Sequence, residues 1–190
     1  MRVVISCHFD TVFGPNASME IFNGVADGAT DNIAGLLAVA QLIGEPDLEI
    51  QFTEDEEMHM DGARYVAREH SADDTAFQVV DVTDSVKPGK KYSFTVENYA
   101  GIQEKHIRKA LAGFRFKIVK EGTESEAWLY KELGFTVIEV DIPVSGGIHN
   151  LHGGARVEDI LVVGKSLKAL ADYIRPMTRA QLSDYQKVEV

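Results

Sequence analysis

Short runs rich in β-branched residues alternate with helical patterns along this chain, and several of the runs end on acidic or histidine side chains. Residues 2–7 lead into His8-Phe9-Asp10, residues 48–52 lead into Glu54-Asp55-Glu56-Glu57, and residues 77–82 carry Asp81 near their end. Residues 92–97, 116–119 and 136–140 read as further strands. Apolar spacing predicts helices from Asp31 to Ile43 with Gly44 as the stop, and over about 62–69, 103–111, 125–133 and 157–174. Residues 11–28 read as a loop rich in Gly, Asn and Asp. Residues 143–154 read as a Gly-rich loop carrying His149 and His152, and residues 175–190 as a polar tail or an extra helix. This alternation predicts an α/β fold of three α/β/α layers around a mainly parallel, mixed central sheet. No linker or repeat divides the 190 residues, so one compact domain is expected over 1–190. Ligands of such sheets gather at the carboxyl ends of the strands, where the polar residues fall.

The charge balance narrows the partners. Nineteen basic residues against thirty acidic ones leave a net charge of −11. That excess opposes binding to nucleic acid or to anionic membrane surfaces, which requires clustered Lys and Arg. It suits a site that holds cations. A single cysteine, Cys7, allows no internal disulfide, the longest apolar stretch is far too short to span a membrane, and the N-terminus lacks a signal-peptide pattern. A cytoplasmic location is therefore expected.

Divalent metals bound as a pair need neutral imidazole and carboxylate ligands, one carboxylate shared between them and an open position for water. His8, Asp31, Glu57, Asp81 and a late histidine offer such a set, spread between positions 8 and 149. The compact H-E-x-x-H pattern is absent, so the fold itself must assemble the site. Each residue also has an ordinary structural use. Asp31 could cap the helix that follows it, Glu54–Glu57 could be a solvated turn, Asp10 and Asp81 are common turn residues, and His8 could be a half-buried histidine. His59 could face the site or solvent, while His70 and His106 read as surface helix positions. A phosphate loop at 162–166 is not supported, because Asp159 stands where its first glycine belongs. No G-x-S-x-G elbow exists.

The stretches S-C-H-F-D-T-V at 6–12, G-A-T-D-N-I-A-G at 28–35 and E-D-E-E-M-H-M-D-G-A at 54–63 resemble the co-catalytic zinc exopeptidases and deacylases. That superfamily includes peptidase T, the tetrahedral aminopeptidases and the amino-acid desuccinylases. V-D-V-T at 80–83 and G-G-I-H-N-L-H-G at 146–153 continue the resemblance in the same order. It implies that His8 and Asp81 bind one metal and Glu57 the other, that Asp31 bridges them, and that His149 (or His152) is the last ligand. It further implies that Asp10 orients His8 and that Glu56 is the general base. The expected cofactors are two divalent ions, zinc first, with cobalt or manganese as alternatives. Only 67 residues separate Asp81 from His149, too few for the inserted lid many relatives carry, so no lid domain is expected. Substrate contacts from a lid are then missing or come from a partner subunit, which makes a homo-oligomer plausible.

The expectation is a di-zinc metallopeptidase that hydrolyses amide bonds, an aminopeptidase on short peptides, because acidic groups around an open metal position favour a free α-amine. The alternatives are an N-acyl-amino-acid deacylase or desuccinylase with the same metal core, and a catalytically silent metal-binding or assembly protein.

Overall fold

The computed structural model describes residues 1–14, 17–89, 91–120, 122 and 125–183. Its central strands are β1 (Arg2–His8), β4 (Glu49–Thr53), β5 (Thr75–Thr83) and β8 (Thr136–Ser145), parallel in the order β4-β1-β5-β8. The far edge of β8 is shared. Its first half pairs antiparallel with β6 (Phe94–Ala100), which pairs parallel with β7 (Phe116–Val119). Its end pairs antiparallel with β9 (Gly153–Arg156), which continues into the hairpin of β3 (Val25–Gly28) and β2 (Met19–Phe22).

The pleat of β1 shows how the sequence builds the layers. Val3, Ile5 and Cys7 join one buried cluster, and Val4 joins another, because successive side chains point to opposite faces. The first cluster is closed by α1 (Thr30–Ala40) and α5 (Val157–Ile174). Helix α5 buries Ile160, Val163, Leu167, Leu170, Ala171 and Ile174 at helical spacing, and burying each leucine or isoleucine contributes about 1.5–3 kcal/mol. The second cluster is closed by α2 (Asp61–Arg68) and α4 (Glu126–Glu132). There Tyr130 stacks on Phe77 with centroids 3.8 Å apart, and Phe135 meets Phe77 edge-on at 4.9 Å. The fold is thus the expected three-layer α/β architecture. Helix α3 (Glu104–Ala110) lies between β6 and β7 in the chain, so β6, α3, β7, α4 and β8 occupy the stretch between Asp81 and His149. No helix among the described residues is long and apolar enough to cross a membrane.

Several boundaries differ from the sequence expectation. Residues 11–28 contain the β2–β3 hairpin, and residues 143–154 contain the end of β8 and the start of β9. Strands β2, β3 and β9 are each only four residues long, β2 and β9 lack inward–outward alternation, and the β3–β9 pairing joins residues more than a hundred positions apart. Helix α1 ends at Ala40, leaving Ile43 exposed in the following turn. His70 is no surface residue. Its Nδ1 donates to the Val66 carbonyl at 2.8 Å and its Nε2 lies 3.0 Å from Glu49. Of the expected tail, Arg179–Ser183 forms α6, and residues 184–190 lie outside the described residues.

Candidate metal centre

Each parallel strand delivers its polar residue to the same end of the sheet. His8 closes β1, Asp81 lies near the end of β5, the turn after β4 carries Glu56 and Glu57, and His149 follows β8. Asp31 arrives from the start of α1, where Asp31 and Asn32 have non-helical backbone angles and are joined by a cis peptide bond. The capping role that Asp31 could have filled is taken by Asn32. The Asn32 Oδ1 accepts the Gly35 N–H at 3.0 Å, and its Nδ2 donates to the Val80 carbonyl at 2.7 Å. A side chain at position 35 would collide with that amide, which explains the glycine. With Asn32 capping, the Asp31 carboxylate is left to face the strand ends.

The acidic turn is equally constrained. Asp55 and Met60 both take positive φ (63° and 58°), and a Cβ at Gly62 would lie 2.5 Å from the Glu54 backbone nitrogen. The chain therefore doubles back tightly, leaving Glu54 exposed and Glu56 and Glu57 partly buried. Asp10 clamps this turn to β1, because its Oδ2 accepts the Glu57 N–H at 3.3 Å.

The resulting cluster has two halves. His8 Nε2 lies 3.2 Å from Asp31 Oδ1 and 3.5 Å from Asp81 Oδ1. His149 Nε2 lies 3.3 Å from both Asp31 Oδ2 and Glu57 Oε2. Each half is a group of three whose ligand atoms lie within 4.8 Å of one another, and the two halves share Asp31. A further group joins His8 to Glu56 and Glu57. The first half is closed, with His8 buried; the second is open, with the His149 side chain 51% exposed. His8 is aimed from behind: its Nδ1 donates to the Asp10 carbonyl at 3.1 Å, which turns Nε2 toward the acids.

Burial disfavours a charged imidazole at His8, but the carboxylates of Asp10, Asp31 and Asp81 outweigh it and hold its pKa well above the usual value. Burial raises the carboxyls of Asp31 and Glu57, and it pushes Glu56 up to about 8, opposed by His8 and reinforced by Asp81 and Glu57. Asp10 goes the other way. Despite its burial cost, hydrogen bonding to His8 and to the backbone of Glu57 lowers its pKa. Buried His8 Nε2, Asp31 Oδ1 and Glu57 Oε1 have no hydrogen-bond partner. Unpaired polar atoms aimed at one another are costly, and oxygen and imidazole donors in this arrangement fit a divalent cation.

His152 stands apart. It lines a separate cavity with Ser18, Glu20, Phe22 and Asp27, beside the hairpin. His59 is exposed and lies 3.2 Å from Asp55. The acidic cluster opens into a cavity of about 410 Å³, which Met58, Met60, Val82, Trp128 and Ile148 also line. None of these five was singled out in the sequence. Methionines immediately after an acidic run were the available signal for two of them, and Trp128 had none.

The family model described as Peptidase family M28 matches residues 1–144. No curated protein matches the chain. Among solved structures, an aminopeptidase from the archaeon Desulfurococcus kamchatkensis is similar with a TM-score of 0.67 at 17% identity, over 92% of this chain and 56% of that one. The TET1 peptidase of Pyrococcus horikoshii, which assembles into a tetrahedron or a large octahedral shell, gives 0.65 at 19% identity, over 82% of this chain and 53% of that one. A zinc aminopeptidase from Bacillus subtilis gives 0.63 at 19% identity, over 89% and 45%. The chain spans about half the length of these structures. The superfamily expected from the motifs is therefore the right one, and the chain belongs to peptidase family M28.

Proposed function

We propose that this chain is an aminopeptidase that hydrolyses short peptides with two zinc ions. The observation that carries the reading is the pair of three-residue groups sharing Asp31, with Glu56 in the same cavity. His8 and Asp81 would hold one ion, Glu57 and His149 the other, and Asp31 would bridge them. Two such ions, when bound, lower the pKa of water and polarise the scissile carbonyl.

The remaining work falls to the protein. Glu56 lines the same cavity and belongs to neither of the two groups that share Asp31, so in this reading its carboxylate accepts a proton from the attacking water and returns it to the leaving amine. Asp10 holds the His8 ring in its tautomer and fixes the turn that carries Glu56 and Glu57. The open side at His149 admits the peptide, and acidic side chains around the entrance attract its free α-amine. Among the described residues, no Lys or Arg lines the cavity to receive a succinyl group or a C-terminal carboxylate, which favours an aminopeptidase over a desuccinylase or carboxypeptidase.

A homo-oligomer is part of the reading, because the outermost strand β2 exposes Ile21 and Phe22. The lone Cys7, buried in β1, fits the reducing cytoplasm.

Metal analysis of the purified chain together with turnover of leucyl-p-nitroanilide tests the proposal. Near-stoichiometric zinc, cobalt or manganese is expected, and Glu56→Gln should slow turnover by about 10²–10⁴-fold while keeping the metal. A wild-type chain that binds metal and cleaves only acyl-amino acids is a deacylase, and one that cleaves neither is a binding protein. A chain that takes up no metal overturns the reading altogether.

A further inference from the structure

A separate cavity of about 300 Å³ lies at the far end of the sheet from the acidic cluster. It is lined by Arg64, Ala67, Arg68 and His70, from α2 and the turn after it, and by Ala72, Leu133 and Phe135, which shortly precede β5 and β8. Those are the amino ends of the parallel strands, whereas the metal centre occupies their carboxyl ends. The run of β5 from Thr75 to Asp81 spans about 20 Å at about 3.3 Å per residue. The cavity is therefore distinct from the centre described above.

Its arginines are out of keeping with the rest of the chain. Acidic residues outnumber basic ones thirty to nineteen, and Arg2, Arg108, Arg156 and Arg175 each meet a carboxylate. Among the described residues, Arg64 and Arg68 meet none. Arg64 Nε donates to the His59 carbonyl at 3.4 Å, and the Arg68 guanidinium has no partner. Standing four positions apart, the two share one face of α2 and repel each other. The helix dipole stabilises a cation in the last turn, which accounts for Arg68 and leaves Arg64 unexplained. No carboxylate among the described residues lines the cavity, and His70 is committed elsewhere, to the Val66 carbonyl and to Glu49. Apolar side chains complete the site: Ala67 and Phe135 are buried, while Leu133 is 47% exposed. Two unpaired guanidiniums beside apolar groups in one concavity are the elements that recognise an anion with a hydrophobic body.

We propose that this cavity binds a small organic carboxylate with an apolar body, an aryl or branched-alkyl acid, with its carboxylate on Arg64 and Arg68 and its body against Leu133 and Phe135. The site stands independently of the aminopeptidase reading, since it uses no residue of the metal centre. A guanidinium meets both oxygens of a carboxylate through parallel N–H bonds, and two of them offset the repulsion an anion feels from a chain of net charge −11. A neutral amide forfeits the charge-assisted bonds. A bare anion such as phosphate gains nothing from the apolar side chains.

Phenylacetate, its neutral isostere phenylacetamide, acetate and inorganic phosphate are titrated calorimetrically into the full chain with and without zinc, because a carboxylate can also ligate a metal. Phenylacetate should saturate one site at the same midpoint in both states, at least about tenfold below the midpoints of the other three. Backbone amide NMR signals of His70, Ala72 and Leu133 should shift, and those of Asp31 and His149 should stay. Arg64→Ala and Arg68→Ala should each weaken phenylacetate binding by about tenfold or more, and Leu133→Ser should reduce its advantage over acetate by several-fold. All three side chains are exposed, and thermal melts establish that the variants are folded. The site is overturned by binding that appears only with zinc, by phosphate or phenylacetamide binding as tightly as phenylacetate, by an affinity that survives both arginine substitutions, or by the absence of saturation at millimolar concentrations.

Discussion

Two groups of buried acids lie in this protein, and they are treated in opposite ways. Glu139 and Asp141 sit inside β8, where Ser125 Oγ donates to Glu139 at 3.0 Å and Thr95 Oγ donates to Asp141 at 2.7 Å. Burial pushes both carboxyls well above their usual range, and each accepts a hydrogen bond from a hydroxyl. Asp31 and Glu57 are also raised by burial, yet they face imidazoles rather than hydroxyls, and Asp31 Oδ1 and Glu57 Oε1 are left unpaired. Burial alone therefore does not mark a metal centre. What distinguishes the strand-end cluster is that imidazoles and carboxylates from five separate segments converge on one another, a donor set that fits a divalent cation.

The sharpest way to break this distinction is to add metal. If the strand-end cluster holds cations, zinc at about a thousandfold excess over its dissociation constant contributes about 4 kcal/mol. For a chain of this size that raises Tm by roughly 8–16 °C. Asp31→Ala should abolish the rise, because both halves of the cluster lose their shared ligand. Differential scanning calorimetry with and without zinc measures both. A wild-type melt indifferent to zinc, cobalt and manganese would reduce the cluster to a second set of structural acids.

A smaller effect is expected at the other pole of the comparison. Glu139 accepts from Ser125, at the start of α4, and burial favours its uncharged form, whose place a neutral amide can take. Glu139→Gln should cost no more than about 1 kcal/mol, whereas Glu139→Ala should cost about 2–5 kcal/mol through the cavity and the stranded hydroxyl. The pH dependence has a definite sign. A carboxyl raised in the folded state binds its proton more tightly there than in the unfolded chain. Its contribution to stability is complete below about pH 4, the unfolded value, and is lost as pH rises through the raised native value. Glu139→Gln should flatten that part of the stability profile. Urea midpoints measured from pH 4 to 8 decide it, and a profile identical to that of the wild type would mean Glu139 is charged in the folded protein.

The sequence made one side of this comparison legible and concealed the other. Strand ends carrying His8, Glu56, Glu57 and Asp81 were readable because a parallel sheet sends its carboxyl ends to one place, whatever the loops do. Local periodicity located β1, β4, β5 and β7, helices α2 to α5 and most of α1, and parts of β6 and β8 for the same local reason. What stayed hidden depends on distant partners. The β2–β3 hairpin is built of two four-residue strands, of which β2 lacks alternation, and β3 is fixed in the sheet by β9, more than a hundred residues on. The capping role of Asn32 also stayed hidden, since spacing cannot tell which of two adjacent polar residues turns back to the Gly35 N–H and Asp31 could equally have done so. Trp128 read as one more residue of an amphipathic helix. Its place in the cavity follows from the way Ser6, Ser125 and Glu139 seat α4, and those contacts span up to 120 residues.

The smallest expected effect concerns the two histidines of the last loop, between which the sequence left a choice. Gly146 and Gly147 both take positive φ (89° and 95°), so the chain turns sharply as it leaves β8. Asn150 then pins the loop from inside: its Nδ2 donates to the Gly146 carbonyl at 2.7 Å, and its Oδ1 accepts the His152 N–H at 2.9 Å. The pinned loop puts His149 against Asp31 and Glu57 and sends His152 to the cavity beside the hairpin. His152→Ala should therefore change stability by less than about 0.5 kcal/mol and leave the zinc-induced rise in Tm intact. His149→Ala should reduce that rise, since it takes a ligand from the open half of the cluster. The two variants share one loop and one lost imidazole, so any general disturbance of the loop appears in both and cancels in the difference. If His152→Ala removes the zinc response and His149→Ala preserves it, the open half of the centre has been assigned to the wrong side of the loop.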